Sequence, residues 1–383
     1  MAFQISRIDS ADKIATFHQL PFRIYKDYPK WAPPLRYEIE QIFDSGKNSF
    51  FKHGECERFL VYKGNSAVGR FAVMNNPERD NKTSPRMGGF GFVEMENDER
   101  LASEIISFAK NWHSKRGYTS MRGPVNFGEN DNHWGLLIQN FDDPPVYGMQ
   151  YHPPYYQDLL EQTGTQKLDD QHSFTMEFET ELPERLVRIT ERILRNKAIT
   201  YRTIDLRNMY QDAEIIKEIY NRAWAEQDIV ERESDFTPLT TESVRKMVDD
   251  LKTVMIPEAI LLAFVNDEPA SFIVSVPDLY EFSKQTGGKI RWWHALKLFR
   301  FKRNATRLRN IALGTVPKYR KLGLEALLFV KGVQGTRDNN PNLKRLEGAW
   351  ISEKNWLMRR SVEALGCRHH KTHRTYRWDW GKS

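Results

Sequence analysis

The sequence predicts an α/β (α+β) chain of two similar domains. Its 383 residues exceed one ordinary core, since single cores stop growing at roughly 250 to 300 residues. Strand-like and helix-like patterns alternate along it. The same order of elements also occurs twice, the mark of an internal repeat.

In the first half, Phe3 to Ile8 reads as a strand and Ser10 to Tyr28 as a helix opened by a Ser cap and stopped by Pro29. Arg58 to Met74 reads as a hairpin turning at Lys63-Gly64-Asn65. A strand at Gly89 to Met95 leads into a helix from Asp98 to Arg116, with Leu101, Ile105, Phe108 and Trp112 on one face and Gly117 at its end. A strand at Tyr118 to Gly123, a long polar loop and a short helix at Tyr155 to Gln162 follow. The second half repeats the order: strand Ile199 to Leu206, helices Asp212 to Trp224 and Thr240 to Lys252, and a hairpin from Ala259 to Val276 turning at Asn266-Asp267. Strand Arg309 to Thr315, helix Gly323 to Arg337, strand Leu343 to Ile351 and helix Asn355 to Leu365 complete it. Met176 to Lys197 reads as a mostly helical connector.

Composition narrows the function classes. Apolar residues make up 40% and charged residues 28%, and no apolar run approaches the roughly 20 residues that cross a bilayer. Met1 to Lys13 has neither a basic start nor an apolar segment, so it is not read as a secretory signal and a cytoplasmic protein is expected. Two distant cysteines, Cys56 and Cys367, support neither a disulfide framework nor a zinc site. His369, His370 and His373 lie among Arg368, Lys371, Arg374 and Arg377; they read as a basic strand surface, and no metal is expected.

The net charge of +6 is concentrated late in the chain. Lys289 to Arg309 holds eight Lys or Arg and no acid, Lys318 to Lys321 three more, and Arg368 to Arg377 four. This pattern suggests a polyanionic ligand, with a phosphorylated cofactor preferred and no nucleic acid expected. Trp292, Trp293, Leu296, Phe299 and Phe301 within 289–309 are expected to pack on their own domain, a membrane-surface helix being the alternative.

The stretch Leu313-Gly314-Thr315-Val316-Pro317-Lys318-Tyr319-Arg320-Lys321-Leu322-Gly323-Leu324-Glu325 ends a strand, forms a short basic loop and opens a helix. Free backbone N–H groups at such a helix start suit a diphosphate. The stretch resembles the cofactor loop of the GCN5-related N-acetyltransferase (GNAT) family, which reads R/Q-x-x-G-x-G/A between a strand and a helix. Arg320 and Gly323 match, and Glu325 stands where the family has Gly or Ala. The resemblance continues at Asn355, at Gly366 eleven residues later and at Tyr376 in the closing strand, whereas Val362 stands where many members have Tyr.

The resemblance implies two tandem GNAT-like domains, 1–175 and 199–383, joined by 176–198, each a mixed, mostly antiparallel sheet flanked by helices. It implies acetyl-CoA or another acyl-CoA as co-substrate, held by Leu313, Gly314, Thr315, Arg320, Lys321, Leu322, Gly323, Leu324, Glu325 and Asn355. Amides at 313–315 would hold the thioester carbonyl. Glu347 and Glu353 are the carboxylates best placed to act as general base, and Tyr376 could protonate the departing thiolate. The expected activity is N-acyl transfer to a small amine. A catalytically silent double domain is the alternative, as is an aminoacyl transferase, against which no long heptad arm appears. The first half reads Glu94-Met95-Glu96-Asn97-Asp98-Glu99 at the equivalent place, acidic and without Gly, so it is not expected to bind coenzyme A. Its 123–156 stretch is either a substrate-recognition surface or an internal plug of turns.

Overall fold

The computed structural model describes residues 2–81, 86–127, 133–225 and 238–381. They divide into two compact units. Unit 1 comprises Met1–His172, Ser283–Ile290 and Lys371–Ser383, and unit 2 comprises Ser173–Phe282 and Arg291–His370. This division differs from a second domain running from 199 to 383, because the closing strand belongs to unit 1 from Lys371 onward. Residues 176–198 belong to unit 2, where the helix Glu184–Leu194 packs on the helix Leu324–Asn339.

The strands are β1 (Phe3–Arg7), β2 (Glu55–Lys63), β3 (Ser66–Asn75), β4 (Met87–Met95), β5 (Ser120–Gly123), β6 (Leu136–Gln139), β7 (Gln166–Glu177), β8 (Ile199–Thr203), β9 (Ile260–Val265), β10 (Glu268–Pro277), β11 (Arg307–Thr315), β12 (Arg345–Ser352) and β13 (Arg368–Asp379). In unit 1 the order is β1-β2-β3-β4-β5-β13-β7, with β6 also on β13. In unit 2 it is β8-β9-β10-β11-β12-β7. In both, the first three pairings are antiparallel and the fourth, β4 with β5 or β11 with β12, is parallel.

The repeat extends to irregularities of register. An extra residue sits in β3 at Val68 and in β10 at Ala270. A second sits in β4 near Phe92 and in β11 at Ile311. Bulges at matching positions are structural features rather than accidents, so the two halves share one fold.

Local chemistry sets the elements. Ser10 caps the helix Ala11–Ile24 and Asp98 the helix Glu99–Ser114, whose Leu101, Ile105 and Trp112 are buried. Asn266 and Asp267, at φ 49° and 64°, form the left-handed turn between β9 and β10. Strand β7 has no apolar alternation to announce it. Its buried polar residues find partners: Asp170 accepts from Arg374 at 2.8 and 3.0 Å, Gln171 donates to Thr375 at 3.1 Å, and Thr175 Oγ1 donates to the Leu346 carbonyl at 3.0 Å. No helix among the described residues is long and apolar enough to cross a membrane.

Three histidines of unit 1 are buried as neutral rings. His113 Nε2 donates to Gly89 O (3.1 Å), His373 Nε2 donates to Gln150 O (2.9 Å), and Leu137 N–H donates to His152 Nδ1 (3.2 Å). Burial holds His113 and His373 down to about 4 and His152 to about 3, from 6.5. A histidine pKa depressed on folding contributes stability above its unfolded value and loses it as pH falls toward the folded value. Unit 1 is therefore expected to weaken from about pH 6.5 to about pH 4, by up to roughly 3 kcal/mol per histidine. Urea titrations across that window test this: His113→Gln should make the pH dependence shallower, and a flat wild-type profile would contradict it.

Candidate functional site

In unit 2, among the described residues, β11 and β12 pair over Arg307–Asn310 and Arg345–Gly348, while β11 runs on to Thr315 and β12 to Ser352. The extra residue at Ile311 falls at the point where pairing stops. A bulge bends its strand, so the two strands part there and leave a wedge. The Asn310 side chain steadies the bend, donating to Val274 O and Ser275 Oγ at 3.1 Å. Further along, Ser271 Oγ donates to Gly314 O at 2.9 Å. A side chain at Gly314 would meet the Trp224 ring at 2.6 Å, and that ring stacks on Tyr220.

The segment after β11 is one tight unit. Pro317 opens a 3-10 turn, Pro317–Leu322, and Gly323 at φ 72° passes the chain into the helix Leu324–Asn339. No side chain caps that helix, so its first amides and the positive end of its dipole are left without a side-chain partner. Arg320 and Lys321 are exposed beside it, while Lys318 and Tyr319 are engaged by Glu268. Arg320 donates to Ala223 O at 2.8 Å. Glu325 lies half-buried in the first turn. Leu313–Thr315 and Arg320–Glu325 thus fall on one strand end and one helix start. A diphosphate fits this chemistry of uncapped amides and exposed cations.

The other expected residues divide. Glu347 is fully buried in β12, opposite the buried Arg309 of β11 and one residue before the wedge opens. It accepts from Ser173 Oγ at 3.3 Å and has His370 Nε2 at 3.6 Å. Glu353 lies in the turn after β12, where its carbonyl accepts from Arg359 at 3.3 Å. Asn355 caps the helix Trp356–Ala364, its side chain accepting from the Met358 amide at 3.0 Å. Tyr376 is buried in the core of unit 1, where its hydroxyl donates to Glu161 at 2.9 Å and burial raises its pKa. His370 and His373 are also buried rather than set on a basic strand surface. The sequence reading placed Arg309 and His370 in basic stretches and did not single out Ser173, because only the tertiary structure brings them around Glu347.

No family model matches the chain. It superposes over its whole length on the whole of a tandem GNAT protein from the clavulanic acid biosynthesis pathway, with a TM-score of 0.58 at 11% identity. A GCN5-related N-acetyltransferase from Sphaerobacter thermophilus covers 98% of this chain with 95% of its own, with a TM-score of 0.51 at 13% identity. This chain has the tandem GNAT fold. In sequence it is 28% identical over 370 residues, 95% of this chain and 94% of the other, to a protein of Caulobacter vibrioides described as a bacterial ceramide synthase. It is 26% identical over 369 residues, 95% of this chain and 92% of the other, to Protein YghO of Escherichia coli K12.

The two units treat their wedges differently. In unit 1, β4 and β5 pair only over Met87–Gly89 and Ser120–Arg122, and the space beyond is filled by the chain itself. The Val125 amide donates to Phe90 O at 2.8 Å. Phe127 and Trp134 pack with Phe92, and Tyr156 Oη accepts from the Met95 amide at 2.7 Å. Glu94 takes hydrogen bonds from Tyr25 (2.5 Å) and Tyr156 (3.1 Å), and burial lifts its pKa against the pull of Arg70. The Asp98 carboxylate accepts from the Arg100 and Leu101 amides, occupying the helix start that its counterpart in unit 2 leaves uncapped. The described part of 123–156 is therefore the internal plug of turns; residues 128–132 lie outside the described residues.

Proposed function

We propose that the chain is an acyl-CoA-dependent N-acyltransferase working in unit 2, and that its acceptor is the amine of a long-chain lipid. The observation that carries the reading is the parting of β11 from β12 at Asn310 and Gly348, next to the uncapped helix led by Gly323. The fold supports acyl transfer. The lipid acceptor is supported by the relative described as a bacterial ceramide synthase, matched across 95% of this chain. A ceramide is an amide of a fatty acid and a long-chain amino alcohol, so its formation is N-acylation.

Bound acyl-CoA supplies an activated thioester carbonyl. The helix-start amides at 324–326, with Arg320 and Lys321, hold its diphosphate. Amides along Leu313–Thr315 face the carbonyl oxygen and stabilise the charge that grows on it. Glu347, oriented by Ser173 and His370, takes the proton that the amine nitrogen loses as the C–N bond forms and the C–S bond breaks. The departing thiolate, with a pKa near about 8.5, needs little assistance, which accommodates Val362.

Binding tests the reading before turnover does. Acyl-CoA at about 100 times its dissociation constant should stabilise the chain by about 2.7 kcal/mol. Arg320→Ala, an exposed change, should weaken binding by about tenfold, the loss of one charge-assisted contact. No thermal shift at millimolar acyl-CoA would sink the proposal. Thiol release with a sphingoid-type amine, compared with a small amine, then assigns the acceptor.

A further inference from the structure

We infer that unit 2 docks on an anionic lipid surface through Arg291–Asn304. The sequence predicts that the segment packs its aromatics on its own domain, whereas most of them face out. Trp292 is 85% exposed, Leu296 77%, Phe299 63% and Trp293 47%. Only Phe301 turns in, at 5%, packing on Phe282, which His294 also meets edge-on. The positions 292, 296 and 299 repeat at helical spacing, across a short 3-10 turn, Trp292–His294, and the helix Ala295–Asn304. The element thus has two apolar faces, one seated on its own unit and one bare.

Charge identifies what covers the bare face. Arg291, Lys297, Arg300 and Arg303 are exposed around it, and no acid occurs from Lys289 to Arg309. Exposed apolar side chains ringed by Lys and Arg, with Trp at one end, match a helix lying in the interface of a bilayer with anionic headgroups. Long basic side chains there can extend their charge to the headgroups while their stems stay in the apolar layer. A second copy of the chain would bring like charges together, and a nucleic acid gives no reason to expose Leu296 and Phe299. The anchor has a direct route to the site: Arg307, which begins β11, follows Asn304 by three residues, and the Thr306 amide donates to Glu281 at 2.9 Å.

This inference rests on the exposed segment and not on acyl transfer. The test is cosedimentation of the full chain with phosphatidylcholine vesicles, with and without about one third phosphatidylglycerol, at low and high salt. The chain should pellet with the anionic vesicles and be released by salt. The triple variant Trp292→Ser, Leu296→Ser, Phe299→Ser should bind at least about tenfold more weakly, as should Lys297→Glu with Arg300→Glu. Both variants should keep the wild-type melting temperature and the thermal response to acyl-CoA, which separates this surface from the site. Absence of pelleting with either vesicle would overturn the inference, as would variants that bind like wild type. So would self-association that the triple variant abolishes in a chain that ignores vesicles.

Discussion

Glu347→Gln is expected to lower kcat by about 10²- to 10⁴-fold, the range a positioned general base contributes. The carboxylate is fully buried one residue before β11 and β12 part, with Ser173 and His370 against it. The amide keeps the shape and removes the proton acceptor. Acyl-CoA affinity, which depends on the loop and helix start, should change by less than about threefold. Because Arg309 stands across the ladder and is itself buried, the same change should cost about 1 to 3 kcal/mol of stability. Rates are therefore compared below the variant's melting temperature. Glu353, in the turn beyond β12, provides the contrast: Glu353→Gln should retain most activity. Full turnover in Glu347→Gln, or a loss seen only in KM, would show that the buried carboxylate merely holds the strands.

Gly91→Ala should be the most damaging single methyl in unit 1, costing about 3 kcal/mol or more. The new Cβ would lie 1.8 Å from Val125 O, a backbone atom of the plug whose own amide is tied to Phe90. Neither side can yield by a side-chain rotation. Urea denaturation measures the effect, with Gly335→Ala as the control. At that helical position the added carbon meets Glu258 at an ordinary 3.5 Å, so stability should rise by about 0.5 to 1 kcal/mol. A Gly91→Ala variant as stable as wild type would mean that the plug can slide and that the unit 1 wedge is open to a ligand.

The repeat and most elements were legible in the sequence, because apolar periodicity and caps are local signals. Ser10, Asp98, the Asn266-Asp267 turn and the Pro317-to-Gly323 loop all act within a few residues of themselves. Such features need no partner from far along the chain to take shape. The strands β7 and β13 were hidden or only partly read for the opposite reason. Their buried Asp170, Gln171, Thr175, Arg374 and Thr375 are polar, and burial is tolerable only through partners roughly 170 to 200 positions away.

The sequence by itself determined the tandem fold, the unit that keeps a basic loop and the unit that lacks one. Tertiary structure decided what the loop sits beside. The parting of β11 from β12, the group around Glu347 and the place of Tyr376 in unit 1 all follow from strand register and long-range pairing. The sequence could show that Trp292, Leu296 and Phe299 accompany a run of cations, but not which way they face. That was settled by Phe301 and His294, which take the contacts with Phe282 and leave the others in solvent. A helix with two apolar faces can bury only one of them against its own unit.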